Sequence, residues 1–192
     1  MTRFFSSHTA QHSDGRDALQ KRIGWKCRLI PPACAAYTAW VLFLIIRQWS
    51  DSAQVVRVFS AWLKVDLTGI ESWQLVAGFI LQMAVWLLIA AACFSVWKLF
   101  SGFLAGRIFT LDAAIWLRRV GLFGITAQLA DMITRPLLAF IVSAHLPVGS
   151  RVFTISFNPH DLLIVLFLSG FVALAEIYRA ACELAADHQQ IV

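Results

Sequence analysis

Residues 73–97 read WQLVAGFILQMAVWLLIAAACFSVW and contain no Asp, Glu, Lys or Arg. A helix needs about 20 predominantly apolar residues to cross the hydrocarbon core of a bilayer, so this stretch is long enough to span it with some tilt. A Trp stands at each end, and the indole ring favours the membrane–water interface. The stretch therefore predicts a transmembrane helix.

The composition of the whole chain agrees with that prediction. Of its 192 residues, 59% are hydrophobic and 14% are charged, and the mean hydropathy is +0.72. Soluble domains average about 45–50% apolar and about 25% charged residues. The apolar excess excludes an ordinary soluble enzyme domain, and the 15 Phe and 8 Trp exclude a disordered chain.

Three further apolar stretches complete a set of four predicted spans, at about residues 29–46, 73–97, 120–146 and 162–181. Pro31 and Pro32 fall in the opening turn of the first span, where a missing N–H costs little. No small-x-small cleavage site follows this span, so we expect it to be retained as an anchor. The sequence predicts an all-α protein, with residues 1–28 as a basic N-terminal arm and residues 29–192 as one four-span membrane domain.

The basic residues predict the orientation. Lys and Arg concentrate in the N-terminal stretch, in the loop after the second span and at Arg179. Because cytoplasmic loops retain positive charge, both termini are expected to be cytoplasmic. The net charge of +5 is then mainly a topological signal, and we expect no nucleic-acid partner. The cysteines fall at or near predicted cytoplasmic helix ends, so no disulfide is expected.

Two segments on the opposite, outer side are less apolar than the spans. One helical stripe before the second span comprises Val55, Val56, Phe59, Trp62 and Leu63. This pattern is typical of a helix that lies in the membrane interface, and a helix that docks a partner is the alternative. The second outer loop, at residues 147–160, alternates apolar and polar residues and predicts either a short strand or an extended loop.

The loop between the second and third spans, KLFSGFLAGRIFTLDAAIWLRRVG at residues 98–121, predicts a helix at the cytoplasmic surface. Thr110 is a suitable N-cap, and Asp112 falls in the first turn, where the helix dipole favours an anion. We expect this helix to begin near Leu111 and to run directly into the third span. Its surface either anchors to anionic lipid or binds a cytoplasmic partner. The predicted cytoplasmic interface comprises Arg107, Thr110, Asp112, Arg118 and Arg119.

Charged residues inside the third span predict a polar site. Insertion of Asp131 or Arg135 near the centre of a bilayer costs about 2.5–3.5 kcal/mol each, and their spacing of four residues allows them to pair on one helical face. Gln128 lies on the same face, and the rise per residue places Gln82 of the second span at a similar depth. We therefore predict an intramembrane polar layer of Gln82, Gln128, Asp131 and Arg135.

Two further residues qualify this site. Pro136 removes the backbone donor that would bond the Met132 carbonyl, so a kink is expected there. Glu176 is expected nearer the inner surface, paired with Arg179 and outside the layer. The layer either fixes helix packing or forms a ligand site, an ion site or a protonatable switch.

No pattern in the chain predicts an enzyme. The Ser, His and Asp residues lack the spacing of a catalytic triad, and there is no phosphate loop or zinc motif. His145 and His160 are expected to be outer-loop residues. We expect neither a metal nor another cofactor.

Several motifs in the second half of the chain form a recognisable series. Gly106, Phe109 and Thr110 match a G-x-x-F-[ST] turn. A helix pattern N-A-x-x-L-R-x-I-G is matched at Ala114, Leu117, Arg118 and Gly121, and residues 173–192 match a last span that ends in A-E-I-[FY]-[KR]-x-x-x-x-L-x-x-[ED]-x-x-x-x-V. In these motifs residues 73–192 resemble the bacterial membrane family named domain of unknown function 2975. The chain departs from that family in its N-terminal arm and in having a single closing acid, Asp187.

The resemblance implies a bacterial inner-membrane location. Members of that family are often encoded beside small helix-turn-helix regulators, and the family has no assigned reaction or catalytic residues. We therefore expect a protein that acts by interaction or sensing through its cytoplasmic loop and tail, with the lipid bilayer and a membrane or cytoplasmic regulatory protein as partners. The alternative is a small transporter or channel-type subunit that forms a homo-oligomer and uses the Asp131 layer.

Overall fold

The computed structural model describes residues 6–107, 110–147 and 158–190, with side chains described in 27–107, 110–147 and 158–184. This part of the chain is helical: α1 (Ser6–Ser50), α2 (Ser52–Leu63), α3 (Ser72–Leu104), α4 (Leu111–Val142) and α5 (Pro159–Gln190). Four stretches are long and apolar enough to cross a membrane: Cys27–Ser50, Ser72–Leu104, Leu111–Val142 and Pro159–Leu184. The all-α class and the multi-pass architecture are confirmed. The segment 148–157, where we expected a strand or an extended loop, lies outside the described residues.

The first long helix begins earlier than the sequence suggested. Because α1 starts at Ser6, it passes through the expected boundary at residue 28, and Pro31 and Pro32 lie inside it. The expectation that these prolines occupy an opening turn is therefore wrong. Each proline lacks an N–H, so the carbonyls of Cys27 and Arg28 lose their i→i+4 donors within the helix.

The short helix α2 has the amphipathic character that its sequence predicts. Val55 is fully buried and Phe59 nearly so, whereas Trp62 on the same stripe is 44% exposed. The Asp51 carboxylate caps the helix by accepting a hydrogen bond from the Ala53 N–H at 2.9 Å. The helix ends at Lys64, whose φ of 56° places it in the left-handed region and turns the chain away.

The long helices of the described chain form an open row rather than a closed bundle. α1 packs on α3, α3 packs on α4, and α4 packs on α5, each pair antiparallel, while α2 lies against α1 and α4. We call the contact between α1 and α3 the α1–α3 seam, and that between α4 and α5 the α4–α5 seam. The α2 end of the row carries α2 itself and the start of α5. The opposite end carries the end of α3 and the start of α4, and we call it the 105–110 end.

Burial is concentrated at the α2 end. The buried apolar cluster there joins residues from α1, α2, α4 and the 64–71 turn: Ile45, Trp49, Val55, Phe59, Leu67, Leu138 and Val142. Many large apolar side chains along the rest of the row are exposed, and Leu166 and Phe167 of α5 are 70% and 71% exposed. Apolar side chains on the outside of a spanning helix are the normal contact with lipid.

Candidate functional site

The helical repeat of α4 carries three polar side chains to one side of the helix. Gln128, Asp131 and Arg135 follow one another at intervals of three and four residues, which places them on the same helical face. The predicted pair forms: both Nε and Nη2 of Arg135 donate to Oδ2 of Asp131, at 2.9 and 2.6 Å. The structure thus brings together three of the four residues of the predicted layer.

A fourth member of this cluster comes from α5 and was not predicted. Asp161 is only 3% exposed. Its Oδ2 accepts a hydrogen bond from Nη1 of Arg135 at 2.7 Å, and its Oδ1 accepts from Nη2 of Arg135 at 3.2 Å and from Nε2 of Gln128 at 2.9 Å. We call these four residues, Gln128, Asp131, Arg135 and Asp161, the Arg135 cluster.

The start of α5 holds Asp161 in place. The carboxylate lies in the first turn of the helix, where unpaired backbone N–H groups favour an anion. Its own backbone N–H donates to the Asn158 carbonyl at 2.9 Å. The sequence carried one usable signal for this contact, an acid directly before the predicted fourth span. The predicted span began at about residue 162 and the predicted outer loop ended at residue 160, so Asp161 was assigned to neither.

The Arg135 cluster lies nearer the α2 end than the centre of the span. α4 ends at Val142, so Arg135 is about 10 Å from the end of its helix. The cluster holds one guanidinium and two carboxylates, which makes one acid in excess when all three ionise. An unpaired charge in the hydrocarbon region costs about 2.5–3.5 kcal/mol on insertion scales, so the excess acid is the most costly feature of this seam.

Gln82 is not part of the Arg135 cluster. Its Oε1 accepts a hydrogen bond from Nε1 of Trp49 at 2.7 Å, which joins α3 to α1. Among the described side chains it makes no hydrogen bond to the three predicted partners on α4. The rise per residue gives the depth of Gln82 but not its direction around the axis of α3, and it faces α1 instead of α4.

A different glutamine of α3 contacts α4. Gln74 is fully buried, its Oε1 accepts the Glu71 N–H at 2.8 Å, and its Nε2 donates to the Ile141 carbonyl at 2.6 Å. The same Nε2 lies 3.4 Å from Nδ1 of His145, in the turn after α4. The sequence did not distinguish this residue, because a polar side chain in the first turn of a span usually faces the interface.

Pro136 lies within α4, next to the Arg135 cluster. α4 runs unbroken from Leu111 to Val142 through this position, and the kink remains a prediction. The guanidinium of Arg135 donates to the two carboxylates of Asp131 and Asp161, which are stronger acceptors than a neutral backbone carbonyl.

The start of α4 agrees with the sequence in detail. Thr110 is the N-cap, its hydroxyl accepts the Ala113 N–H at 3.3 Å, and Asp112 lies in the first turn. As predicted, a single helix continues from Leu111 through the apolar stretch. The guanidinium of Arg119 lies 4.6 Å from the ring centroid of Trp116, within the range of a cation–π contact.

Glu176 pairs across the α4–α5 seam. Its carboxylate lies 3.4 Å from Nε of Arg118, whereas Arg179 donates to Glu183 at 2.9 Å. The expected ion pair between Glu176 and Arg179 is therefore replaced by one pair between helices and one along α5. Both ions of the Arg118–Glu176 pair are about half exposed, so the pair contributes little to stability.

A cleft of about 230 Å³ opens at the 105–110 end, between the end of α3 and the start of α4. Its lining includes two exposed bases, one acid and an aromatic ring: Lys98, Arg107, Asp112 and Trp116. The Lys98 ammonium lies 5.7 Å from the ring centroid of Phe94. Among the described side chains, neither Lys98 nor Arg107 forms an ion pair.

The described residues contain no group of three or more His, Cys, Asp or Glu side chains that could hold a metal ion. His160 is exposed at the start of α5. No protein-family model matches the chain, and neither a curated protein nor a solved structure shows significant similarity to it.

Proposed function

We propose that this chain is a multi-pass protein of a bacterial inner membrane that acts by binding a regulatory partner at its 105–110 end. That end and both termini would then be cytoplasmic, and the α2 end would face outward with α2 in the membrane interface. The single observation that carries the proposal is the open cleft at the 105–110 end, where Lys98 and Arg107 have no carboxylate partner among the described side chains. Unpaired bases beside an aromatic ring suit an acidic protein surface.

The binding proposal can be tested with a photo-reactive amino acid at Ser101, which lines the cleft, and at Thr68, which is exposed at the α2 end, as the control. We expect a crosslinked partner from position 101 alone, and we expect the double variant Lys98→Glu, Arg107→Glu to abolish it. The same product from position 68, or a product that survives the charge reversal, would contradict the proposal.

The orientation has its own test. In a chain whose four native cysteines are replaced by alanine, single cysteines at Gly102 and at Thr68 report the two ends. We expect a membrane-impermeant maleimide to label position 68 in intact spheroplasts and position 102 only after permeabilisation. The reverse result would place the 105–110 end outside and remove the basis for a cytoplasmic partner.

A transporter or channel-type subunit is the second candidate, and the Arg135 cluster is the observation that favours it. Two carboxylates share one base inside a candidate span, and intramembrane ionisable groups commonly mark ion pathways. Because the described helices form an open row, a second copy would have to complete any pathway. Proton or ion flux into proteoliposomes that is abolished by Asp131→Asn would support this candidate, and equal flux in that variant would exclude the cluster as its pathway.

A further inference from the structure

The charges of the Arg135 cluster do not balance. Arg135 contributes one positive charge, and Asp131 and Asp161 contribute two negative charges if both ionise. When two carboxylates share a site of low polarity, one of them readily binds a proton. We propose that Asp131 is a proton-binding site, which holds an exchangeable proton on Oδ1 in the membrane-embedded protein.

The hydrogen bonds distinguish the two acids. Both oxygens of Asp161 accept hydrogen bonds, three in all, and its side chain is 4% exposed, at the start of a helix whose dipole favours an anion. Within the described part of the chain, Oδ2 of Asp131 accepts two hydrogen bonds and its Oδ1 accepts none, and the Asp131 side chain is 40% exposed. The ionised form therefore belongs to Asp161, and the acidic O–H belongs to Oδ1 of Asp131.

Among the described side chains, no base other than Arg135 forms an ion pair with Asp131 or Asp161. The facing helix α3 has no Asp, Glu, Lys, Arg or His between Ser72 and Trp97. Arg57 of α2, which also packs on α4, is exposed and forms no ion pair in the described chain. On α5 the neighbouring titratable group is His160, whose side chain is exposed, and its backbone N–H donates to the Asn158 side chain.

This inference does not depend on partner binding at the 105–110 end. It deepens the second candidate function, because it names the proton as the ligand of the Arg135 cluster and Asp131 as the group that carries it. A protein that binds a proton at Asp131 without moving ions would still satisfy the inference, so flux assays and proton-site assays can fail separately.

The probe is dicyclohexylcarbodiimide, an apolar reagent that modifies protonated carboxyl groups within membranes. The acidic proton moves to a carbodiimide nitrogen, the carboxyl oxygen bonds to the central carbon, and acyl migration to nitrogen gives a stable N-acylurea. The full chain in liposomes is treated across a range of pH, and the modified residue is located by mass spectrometry. We expect modification at Asp131 and not at Asp161, decreasing as the pH is raised.

Three variants make the test specific. Asp131→Asn should abolish the modification at this site. Asp161→Asn leaves one acid and one base, so modification of Asp131 should fall about tenfold or more because the like charge is gone. Glu176→Gln, which alters the exposed pair with Arg118, is the matched control and should leave it unchanged. Size-exclusion profiles in detergent check that each variant folds. Infrared spectroscopy gives a second readout, because a carboxylic-acid band present in wild type should be missing from Asp131→Asn.

Several results would overturn the proposal. Wild-type protein without modification at Asp131 at any pH would do so, as would equal modification in Asp161→Asn. Protection by sodium chloride at constant pH would identify a sodium ion, and not a proton, as the ligand.

Discussion

The two outer seams of the row join their helices in different ways. In the α1–α3 seam, the Trp49 ring packs against the backbone of Gly78, and Nε1 of Trp86 donates to the Thr38 carbonyl at 3.0 Å. In the α4–α5 seam, an ionic cluster near the α2 end and the Arg118–Glu176 pair towards the other end flank a stretch of glycine contacts. Both seams use glycine for close approach, but among the described side chains only the α4–α5 seam contains ion pairs between its helices.

The two seams should therefore respond differently to pH and to ion concentration. A neutral indole N–H bonded to an amide or carbonyl oxygen stays bonded over the whole physiological pH range. A cluster with one acid in excess is stable only while the extra charge is neutralised. We therefore expect substitutions in the α4–α5 seam to have the larger effects, and only there should proton or ion concentration alter the result.

The largest effect should come from Arg135→Gln. This change leaves Asp131 and Asp161 facing each other without a base, and removal of one member of a buried ion pair costs about 3 kcal/mol. Reversible unfolding of purified protein by a denaturing detergent measures the loss. Asp131→Asn, which removes the excess acid and keeps the Arg135–Asp161 pair, is the control and should be far milder. Similar losses in both variants would mean that the pair with Asp161 does not hold the seam.

Exchange of the two charges within α4 should cause about the same loss. The double variant Asp131→Arg, Arg135→Asp keeps an i,i+4 pair but sets a carboxylate at position 135 opposite Asp161. We expect its stability to lie near that of Arg135→Gln, about 3 kcal/mol below wild type. Adding Asp161→Arg should restore part of the loss. Full recovery in the double variant alone would show that the pair within α4 is sufficient.

Substitution of the contact glycines should cause the next largest loss of stability, and the loss should be equal in the two seams. A Cβ at Gly121 would lie 2.5 Å from Cγ2 of Val172 and 3.2 Å from the Leu168 carbonyl oxygen, and one at Gly78 would overlap the Trp49 ring. Overpacking of this kind costs about 1–3 kcal/mol. We expect both Gly121→Val and Gly78→Val to lower stability by about 2 kcal/mol.

Gly170→Val provides the matched control for the glycine series. It makes the same exchange within α5, where a Cβ has no atom within 4 Å. Its unfolding midpoint should stay close to that of wild type. A loss as large as that of Gly121→Val would mean that helix propensity, and not close packing, determines the effect.

The smallest loss of stability should come from removing the hydrogen bond between Trp49 and Gln82. Interhelical hydrogen bonds in membrane proteins contribute about 0.6 kcal/mol on average. A double-mutant cycle of Trp49→Phe and Gln82→Leu should therefore give a coupling energy of about that size. The coupling should not vary with salt or pH. A value that changes with either would show that charge also reaches the α1–α3 seam.

The fold was predictable where a single local rule was sufficient. Apolar length located the four spans, and the cap at Thr110 with Asp112 in the next turn located the start of α4. The pair of Asp131 and Arg135 was predictable because the helix repeat alone brings residues four apart together.

The remaining contacts depend on rotation of the helices about their axes, which the sequence does not express. Depth arithmetic gave an expected level for Gln82 in the span, but it could not show that the amide faces α1. Asp161 was missed because the predicted fourth span began at about residue 162, three residues after α5 begins at Pro159, and so left out the acid that binds Arg135. Pro31 and Pro32 indicated a helix start, but the helix continues through them.

The open row has a consequence for how the protein is made. Every large interface joins helices that are consecutive spans in the chain, and α1 and α5 have no extended contact within the described residues. Each new span can therefore settle against the one inserted just before it, without waiting for the C-terminus. The ionic contact of Arg135 follows the same order, and it stays incomplete until the start of α5 leaves the ribosome. During synthesis α4 must therefore enter the membrane with only Asp131 to balance its arginine.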